Sequence, residues 1–557
     1  MHSHTHRKPP LLQLTEIKLP LDHTQADLVA AICRRLRINA SQLRSHAIHR
    51  RAVDARRRDA IAYIYTIHAE VADEPATLAR IKDRRHVNPA PDLVYRFVTH
   101  APSDLPTRPI VIGTGPCGLF AGLLLAQMGF RPILLERGKP VRQRTIDTFG
   151  FWRGGPLDPE SNVQFGEGGA GTFSDGKLHT QIKDPLHHGR KVLEEFVHAG
   201  APPEILYLAK PHIGTFRLVG IVEHLRSTIE SLGGEIRFQS RVTDLLIEQG
   251  RVRAVILADG SRIDADAVLL AVGHSARDTF EMLHARGVSI EPKPFSVGFR
   301  IEHPQAMIDR CQYGTVPGAG DFTDTLGAAN YKLVHHCSNG RSVYSFCMCP
   351  GGTVVAAASE PRCVVTNGMS QYSRNERNAN SAIVVGISPE DFNGSATDPL
   401  AGMAYQRRWE QRAFELGGGT YEAPAQLVGD FLAGRPSTQL GSVSPSYIPG
   451  VHLTDLSTAL PSDIIQAIRE ALPAFGKKIR GFDRHDALLT GVETRTSSPI
   501  RIPRDENYQS QNTQGLYPAG EGAGHAGGIL SAAVDGLKSA EALALSLSPI
   551  PNAQQTT

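Results

Sequence analysis

The chain has 557 residues, 41% of them hydrophobic and 21% charged, with a formal net charge of +3. That balance belongs to a soluble globular protein of two or three domains, and no run reaches the roughly 18 uninterrupted apolar residues that a membrane span needs. Seven cysteines without a small-scaffold spacing point to a reducing compartment; MHSHTHRKPP leads into charge rather than the apolar core of a signal peptide, so a cytoplasmic location is expected.

Residues 1–100 carry 17 Lys+Arg against 10 Asp+Glu, a surplus of 7 that the rest of the chain does not share. Within them, LLQLTEIKL alternates as a half-buried strand does, and ADLVAAICRRLRI sets Leu28, Ile32 and Leu36 on one helical face behind the capping residue Thr24. Two β-rich runs follow, joined by a charged turn at 54–59. Then PATLARIKD reads as a helix and LVYRFV (93–98) as a last strand. The order β-α-β-β-α-β predicts a ferredoxin-like unit over 1–100. Arg50, Arg51, Arg56, Arg57 and Arg58 cluster about its hairpin. Such a cluster fits a solvated face, a docking surface for a partner or subunit, or a contact with RNA phosphates.

After the Pro-rich stretch at 101–109 the pattern becomes βαβ. The strand PIVI runs into Gly113-Thr114-Gly115-Pro116-Cys117-Gly118, which opens the helix LFAGLLLAQMG. Gly113 allows the tight turn, Gly115 lets a pyrophosphate approach the backbone, and Gly118 lets helix and strand pack closely. The helix N-terminus presents free N–H groups to phosphate, and Glu136 ends the next strand, where a carboxylate can accept ribose hydroxyls. A dinucleotide site follows from these elements together. GEIRFQSRVTDLLIEQGRVRAVILADGSRIDADAVLLAVG reads as successive strands with turns at Gln249-Gly250 and Asp259-Gly260.

Three distant features favour FAD over NAD. Glu136-Arg137-Gly138 resembles the strand end of FAD proteins of the glutathione-reductase type. DADAVLLAVG resembles their short strand, with Ala271 and Gly273 as the small residues beside the cofactor. LYPAGEGAGHAGGILSAAVDGLKSA resembles their C-terminal motif, in which an acid holds the ribityl chain and a helix N-terminus faces the flavin ring. The resemblance assigns those contacts to Gly520, Glu521, Gly528 and Ile529, with Glu521 where the motif has aspartate, and an adenine contact to Val242. Gly166-Glu167-Gly168-Gly169-Ala170-Gly171 repeats the fingerprint by letter but follows no strand, so no independent NAD(P)H domain is expected. A transiently bound NAD(P)H, a protein partner or the substrate must then supply electrons.

FGEGGAGTFSDGKL, KPFSVGFRIEHP, YSFCMCPGGTVVAAASE, VTNGMSQYSRNERNANSAIVV, LPAFGKKIRGFD and GVETRTSSPIRI resemble a bacterial family labelled FAD-dependent or NAD(FAD)-utilising dehydrogenase, over nearly the whole chain. The resemblance implies an FAD-binding oxidoreductase and assigns it no substrate; the function expected on top of it is action on a small organic substrate by hydride transfer at flavin N5. The fold expected is α/β: a Rossmann-type FAD domain split over 101–285 and 480–557, an interleaved α+β substrate domain at 286–479, and the ferredoxin-like unit before them. A flavoenzyme acting on RNA and a non-enzymatic FAD protein are the alternatives.

For chemistry, YSFCMCPGG read as a regular strand turns Ser345, Cys347 and Cys349 to one face. The two cysteines are then a thiol pair, a nucleophile, or buried packing. His525, at the start of the C-terminal helix, is either a hydrogen-bond or proton donor or a structural capping contact with the loop. Ser174, Asp175 and Lys177 lie in a loop that could wrap the pyrophosphate. Arg495 either pairs with Glu493 or faces the active site, and Asn378, Asn380 and Ser381 fall in an expected loop over the substrate. No second pair of ligands accompanies the cysteines, so no metal site is expected.

Overall fold

A computed structural model describes residues 11–58, 60–314, 323–395 and 397–548. At the N-terminus a four-stranded antiparallel sheet is formed by Leu12–Pro20, Leu43–Asp54, Ala62–Val71 and Val87–Pro89, with Leu12–Pro20 between the third and fourth of these. In the first strand Leu12 and Leu14 point inward, and then Ile17 and Leu19. The one-residue slip is absorbed by a register shift between Leu14 and Ile17, with Glu16 at φ 55°. Helix Gln25–Leu36 is closed by a capping box between Thr24 and Asp27 and buries Leu28, Ile32 and Leu36 against this sheet.

The last strand is Val87–Pro89, not the expected LVYRFV. Residues 93–98 instead cross to the next unit without pairing in a sheet, where the Tyr95 hydroxyl donates to Glu541 at 2.6 Å. Of the arginines in the hairpin cluster, Arg51 lies in the seam between units. Its N–H donates to the Tyr207 carbonyl and its carbonyl accepts from Ala209 N–H, while its guanidinium covers the rings of Tyr63 and Tyr207. Arg56 is held by the buried Asp54.

The next unit centres on a five-stranded parallel sheet built from distant pieces of chain. Its spatial order is Leu516–Pro518, Val268–Leu270, Ile110–Ile112, Ile133–Leu135 and Glu235–Arg237. Helix Pro116–Gln127 is buried from Cys117 to Ala126. It packs against helix Ile529–Leu547, where Gly536 meets the Cys117 carbonyl so closely that a Cβ would stand 2.2 Å from its oxygen. Chain order reverses direction beside Ile110–Ile112, and the crevice beyond the carboxyl ends of such strands is where open α/β sheets bind ligands.

A seven-stranded sheet forms the other large layer, in the spatial order Val334–His336, Ser342–Cys349, Asn378–Ile387, Phe295–Pro304, Leu488–Glu493, Ala423–Leu427 and Val451–Leu453. Its strand Leu488–Glu493 comes from beyond the boundary expected at 479. Helix Ser462–Lys478 lays Ile464, Ile465, Ile468, Leu472 and Phe475 on it. Two expectations are corrected here. Asn378, Asn380 and Ser381 are buried in a central strand rather than exposed in a loop. Strand Ser342–Cys349 is not regular either: its register shifts between Phe346 and Cys349, with Cys347 at φ 43°. No helix among the described residues is long and apolar enough to cross a membrane.

Candidate functional site

A cavity of about 440 Å³ lies between the parallel sheet and the seven-stranded sheet. Its lining joins Arg137, Ser240, Arg241 and Val242, the glycine turn, the N-termini of helices Pro116–Gln127 and Ile529–Leu547, and a group of Lys177, His274, Phe346, Cys347, Glu493 and Arg495. The geometry of the turn follows from its glycines. Gly113 has φ +98°, and a Cβ there would lie 2.4 Å from the Ala271 carbonyl oxygen; one on Gly118 would lie 1.9 Å from the Gly113 oxygen. Both positions therefore exclude side chains. At Gly115 a Cβ would meet only Gly169, at 3.7 Å, and at Gly273, Gly527 and Gly528 it would meet nothing within 4 Å. All four line the cavity, so side chains there would fill the space that a ligand needs.

The second glycine run is part of this same site. The Gly168 N–H donates to the Thr114 carbonyl at 2.9 Å, and a Cβ on Gly169 would strike Gly115 at 2.8 Å. What shapes the run is Arg144, a residue that sequence reasoning missed. Fully buried on helix Val141–Trp152, it donates to the carbonyls of Asn162, Val163, Gly166, Glu167 and Gly169 at 2.7–3.3 Å. Burial pushes its guanidinium down to about 10, against the pull of Glu136 and Glu167.

Glu136 reaches the cavity but is already engaged. One carboxylate oxygen accepts from the Thr114 N–H and hydroxyl, the other from the Gly138 and Gly166 N–H groups, at 2.7–3.0 Å. A ribose hydroxyl would reach it by displacing the rotatable Thr114 hydroxyl. Arg137 lies 4.1 Å from the Phe165 ring centroid and pairs with Glu160 and Asp278. At the C-terminal motif Glu521 faces the cavity. Burial pushes its carboxyl up to about 7, with Lys293 opposing and Cys347 adding to the shift. Asp535, also missed, holds the turn by accepting from Gly520 N–H at 2.7 Å while paired with Arg504.

Most of the expected cofactor residues thus meet at one cavity: Gly113, Gly115, Pro116, Cys117, Glu136, Arg137, Val242, Ala271, Gly273, Gly520, Glu521, Gly528 and Ile529 all line it. Gly118 supports it from behind. His525 is not brought in: its ring bonds the Ile502 carbonyl at 3.0 Å, and burial pushes it down to about 4, so it stays a neutral structural group. Arg495 does face the cavity, but its partner is Glu410 rather than Glu493. Glu410 is shared with Arg277, and the two arginines hold its carboxyl well below the usual range against the burial that opposes them. Glu493 pairs instead with Arg300, and burial raises it to about 7 against that partner. Of the loop residues, Ser174 and Lys177 line the cavity, as does Asp175, which is paired with Arg374. Cys347 lines the cavity; Cys349 is fully buried next to it.

Comparison with known proteins adds to this geometry. Residues 294–496 match the family described as "FAD-dependent protein, C-terminal domain-like", and residues 12–70 match a domain of unknown function. An uncharacterized protein of Clostridium beijerinckii is 46% identical over 537 residues, covering 95% of this chain and 98% of the relative. The chain belongs to that protein's family. The seven-stranded sheet with its helices is the part carrying the FAD-dependent match. Solved structures resemble the chain loosely. The halogenase PltM in complex with FAD shares 10% identity at a TM-score of 0.36, covering 79% of this chain and 68% of that one. Glycerol-3-phosphate dehydrogenase from Bacillus halodurans, complexed with FAD, shares 12% identity at 0.34, covering 79% and 65%.

Proposed function

We propose that this protein is an FAD-dependent oxidoreductase that holds FAD along the cavity and oxidises or reduces a small organic substrate beside the lining residues Lys177, Glu493 and Arg495. The observation that carries this is the convergence of two helix N-termini and the glycine turn on one cavity. Both partial positive charges then act on a bound anion, one suited to the pyrophosphate and one to the ring. Gly113 to Gly118 would cradle the pyrophosphate, Val242 would lie under adenine, Glu136 would accept the adenosine ribose and Glu521 the ribityl hydroxyls. FAD would supply hydride chemistry at N5. The chain's own residues orient what reacts there. Lys177 and Arg495 offer fixed cations for an anionic substrate, and Glu493, raised to about 7, can hold or release a proton near neutral pH. His274, pushed down to about 4 by burial and by Arg495 and Arg277, stays neutral and can only exchange hydrogen bonds.

NAD(P)H binding transiently in the same cavity is one electron source under this reading. The test is anaerobic absorbance of the purified protein reconstituted with FAD, before and after adding NADH or NADPH. A flavin spectrum that bleaches supports a nicotinamide-driven reductase. A bound flavin that stays oxidised moves the electron source to substrate or protein groups, and failure of FAD to bind refutes the proposal.

A further inference from the structure

The strand Ser342–Cys349 delivers two cysteines to the cavity in a conformation that packing alone does not explain. A bulge between Phe346 and Cys349 breaks the strand's alternation, and Cys347 takes a left-handed φ of 43°, which non-glycine residues seldom adopt. A bulge shortens the rise of the chain, bringing residues two apart nearer than the roughly 6.5–7 Å of a regular strand. The Cys349 thiol donates to the Cys347 carbonyl oxygen at 3.3 Å, and each thiol shifts the ionisation of the other. Two cations clamp this turn. Lys177 donates to the Met348 carbonyl between the cysteines, and Arg300 donates to the Cys347 carbonyl at 3.0 Å.

Charge is divided unequally between the thiols. The Cys349 thiol beside it, then Lys177 and Arg300, hold Cys347 well below the ordinary thiol range despite its burial. Cys349 is raised well above it by its neighbour and by burial. Cys347, the thiol favoured to ionise, is the one that lines the cavity. Burial pushes Lys177 down, but the two cysteines and Asp175 outweigh it and keep it charged.

We propose that Cys347 and Cys349 form a reversible dithiol–disulfide pair that exchanges two electrons with the flavin of the FAD site. The inference rests on the FAD reading above. In the oxidising direction one S–S bond forms between Cys347 and Cys349, and the S–H bond of Cys349 breaks. Two electrons and that one proton pass to the oxidised isoalloxazine, which becomes the singly protonated anionic reduced ring. The reverse step returns them, so the pair serves as a second two-electron store beside the ring.

The test uses the FAD-loaded full chain, equilibrated with air and made anaerobic. Titration with dithionite, followed by flavin absorbance, is expected to consume four electrons per FAD in the wild type and two in Cys347→Ser and in Cys349→Ser. In parallel, alkylation of the denatured chain and peptide mass mapping, with and without prior reduction, should show both residues protected in the air-equilibrated protein and both labelled after reduction. Wild-type protein that takes two electrons per FAD, with Cys347 and Cys349 labelled from the start, overturns the proposal. Either variant alone breaks the disulfide, so the half-buried Cys347→Ser suffices if Cys349→Ser does not fold, and the wild-type mapping needs no variant. Loss of flavin binding altogether would sink the FAD reading instead, and mapping of the unloaded chain would still report the pair.

Discussion

Replacing Arg144 by methionine keeps the length of the side chain and removes a donor set that five buried carbonyls share. A hydrogen bond contributes about 1 kcal/mol net, more when the donor is charged, and a buried acceptor left unpaired costs about 1–3 kcal/mol. Even the low end over five acceptors gives about 5 kcal/mol. Water entering the emptied site offsets part of this, so Arg144→Met should lose about 3–5 kcal/mol of unfolding free energy. The second glycine run, which leans on Gly115 through Gly169, should lose its shape first, and FAD binding should weaken by at least about 100-fold, or 2.7 kcal/mol. Urea unfolding can be followed by fluorescence, since Trp152 is buried on the same helix as Arg144; flavin titration reads the second effect. Arg144→Lys should recover only part of both, because a single ammonium cannot span five carbonyls. Arg144→Met that stays within about 1 kcal/mol of wild type and keeps its FAD affinity would refute this account of the loop.

Gly118→Ala places a methyl 1.9 Å from the Gly113 carbonyl oxygen, so it should abolish flavin retention in gel filtration while the N-terminal unit stays folded by limited proteolysis. Glu410→Gln leaves Arg277 and Arg495 without their shared carboxylate and should cost about 3–5 kcal/mol in urea unfolding. Glu521 titrates near 7 when folded and at its ordinary 4.5 when unfolded. Its folded form therefore holds more protons between these values, and its contribution to stability is fully present below about 4.5 and lost as pH rises through about 7. The FAD-free chain should lose thermal stability across that window, and Glu521→Gln should flatten the slope, as differential scanning fluorimetry at a series of pH values can measure.

Features written in consecutive residues were legible in the sequence. The turn from Gly113 to Gly118, the acid at 136, the Ala271–Gly273 strand end and the C-terminal helix all converge on one cavity because each is a local device of the parallel sheet. The contributions that escaped notice depend on partners far along the chain. Arg144 sits in VRQRTIDTF, which reads as an ordinary charged helix face; only the loop at 162–169 folding over it makes it a buried donor. Asn378, Asn380 and Ser381 looked like loop residues because central strands are usually apolar. Here Arg300 donates to Asn380, Asn378 donates to Glu302 and the Tyr331 hydroxyl bonds Ser381, so most of this polarity is met inside the sheet, and only the Asn380 amide nitrogen finds no partner among the described residues. Strict alternation misplaced Cys347 because a bulge adds one residue and leaves no mark in a period-two pattern. LVYRFV has strand composition, but Val87–Pro89 takes the edge of the first strand, leaving LVYRFV to run on toward helix Ile529–Leu547.

The parallel sheet also carries a consequence for synthesis. Val268–Leu270 has Ile110–Ile112 on one side and Leu516–Pro518 on the other, and the second helix N-terminus at the cavity begins only at Ile529. A ribosome adding about 5–20 residues per second needs roughly 20 to 80 seconds to pass from one neighbour's position to the other's. Throughout that interval the nascent chain has its glycine turn but not the strand and helix that close the site. Retention of cofactor should therefore be a late event in biogenesis, and a chain cut short before residue 516 should emerge with an open sheet edge exposed to other chains.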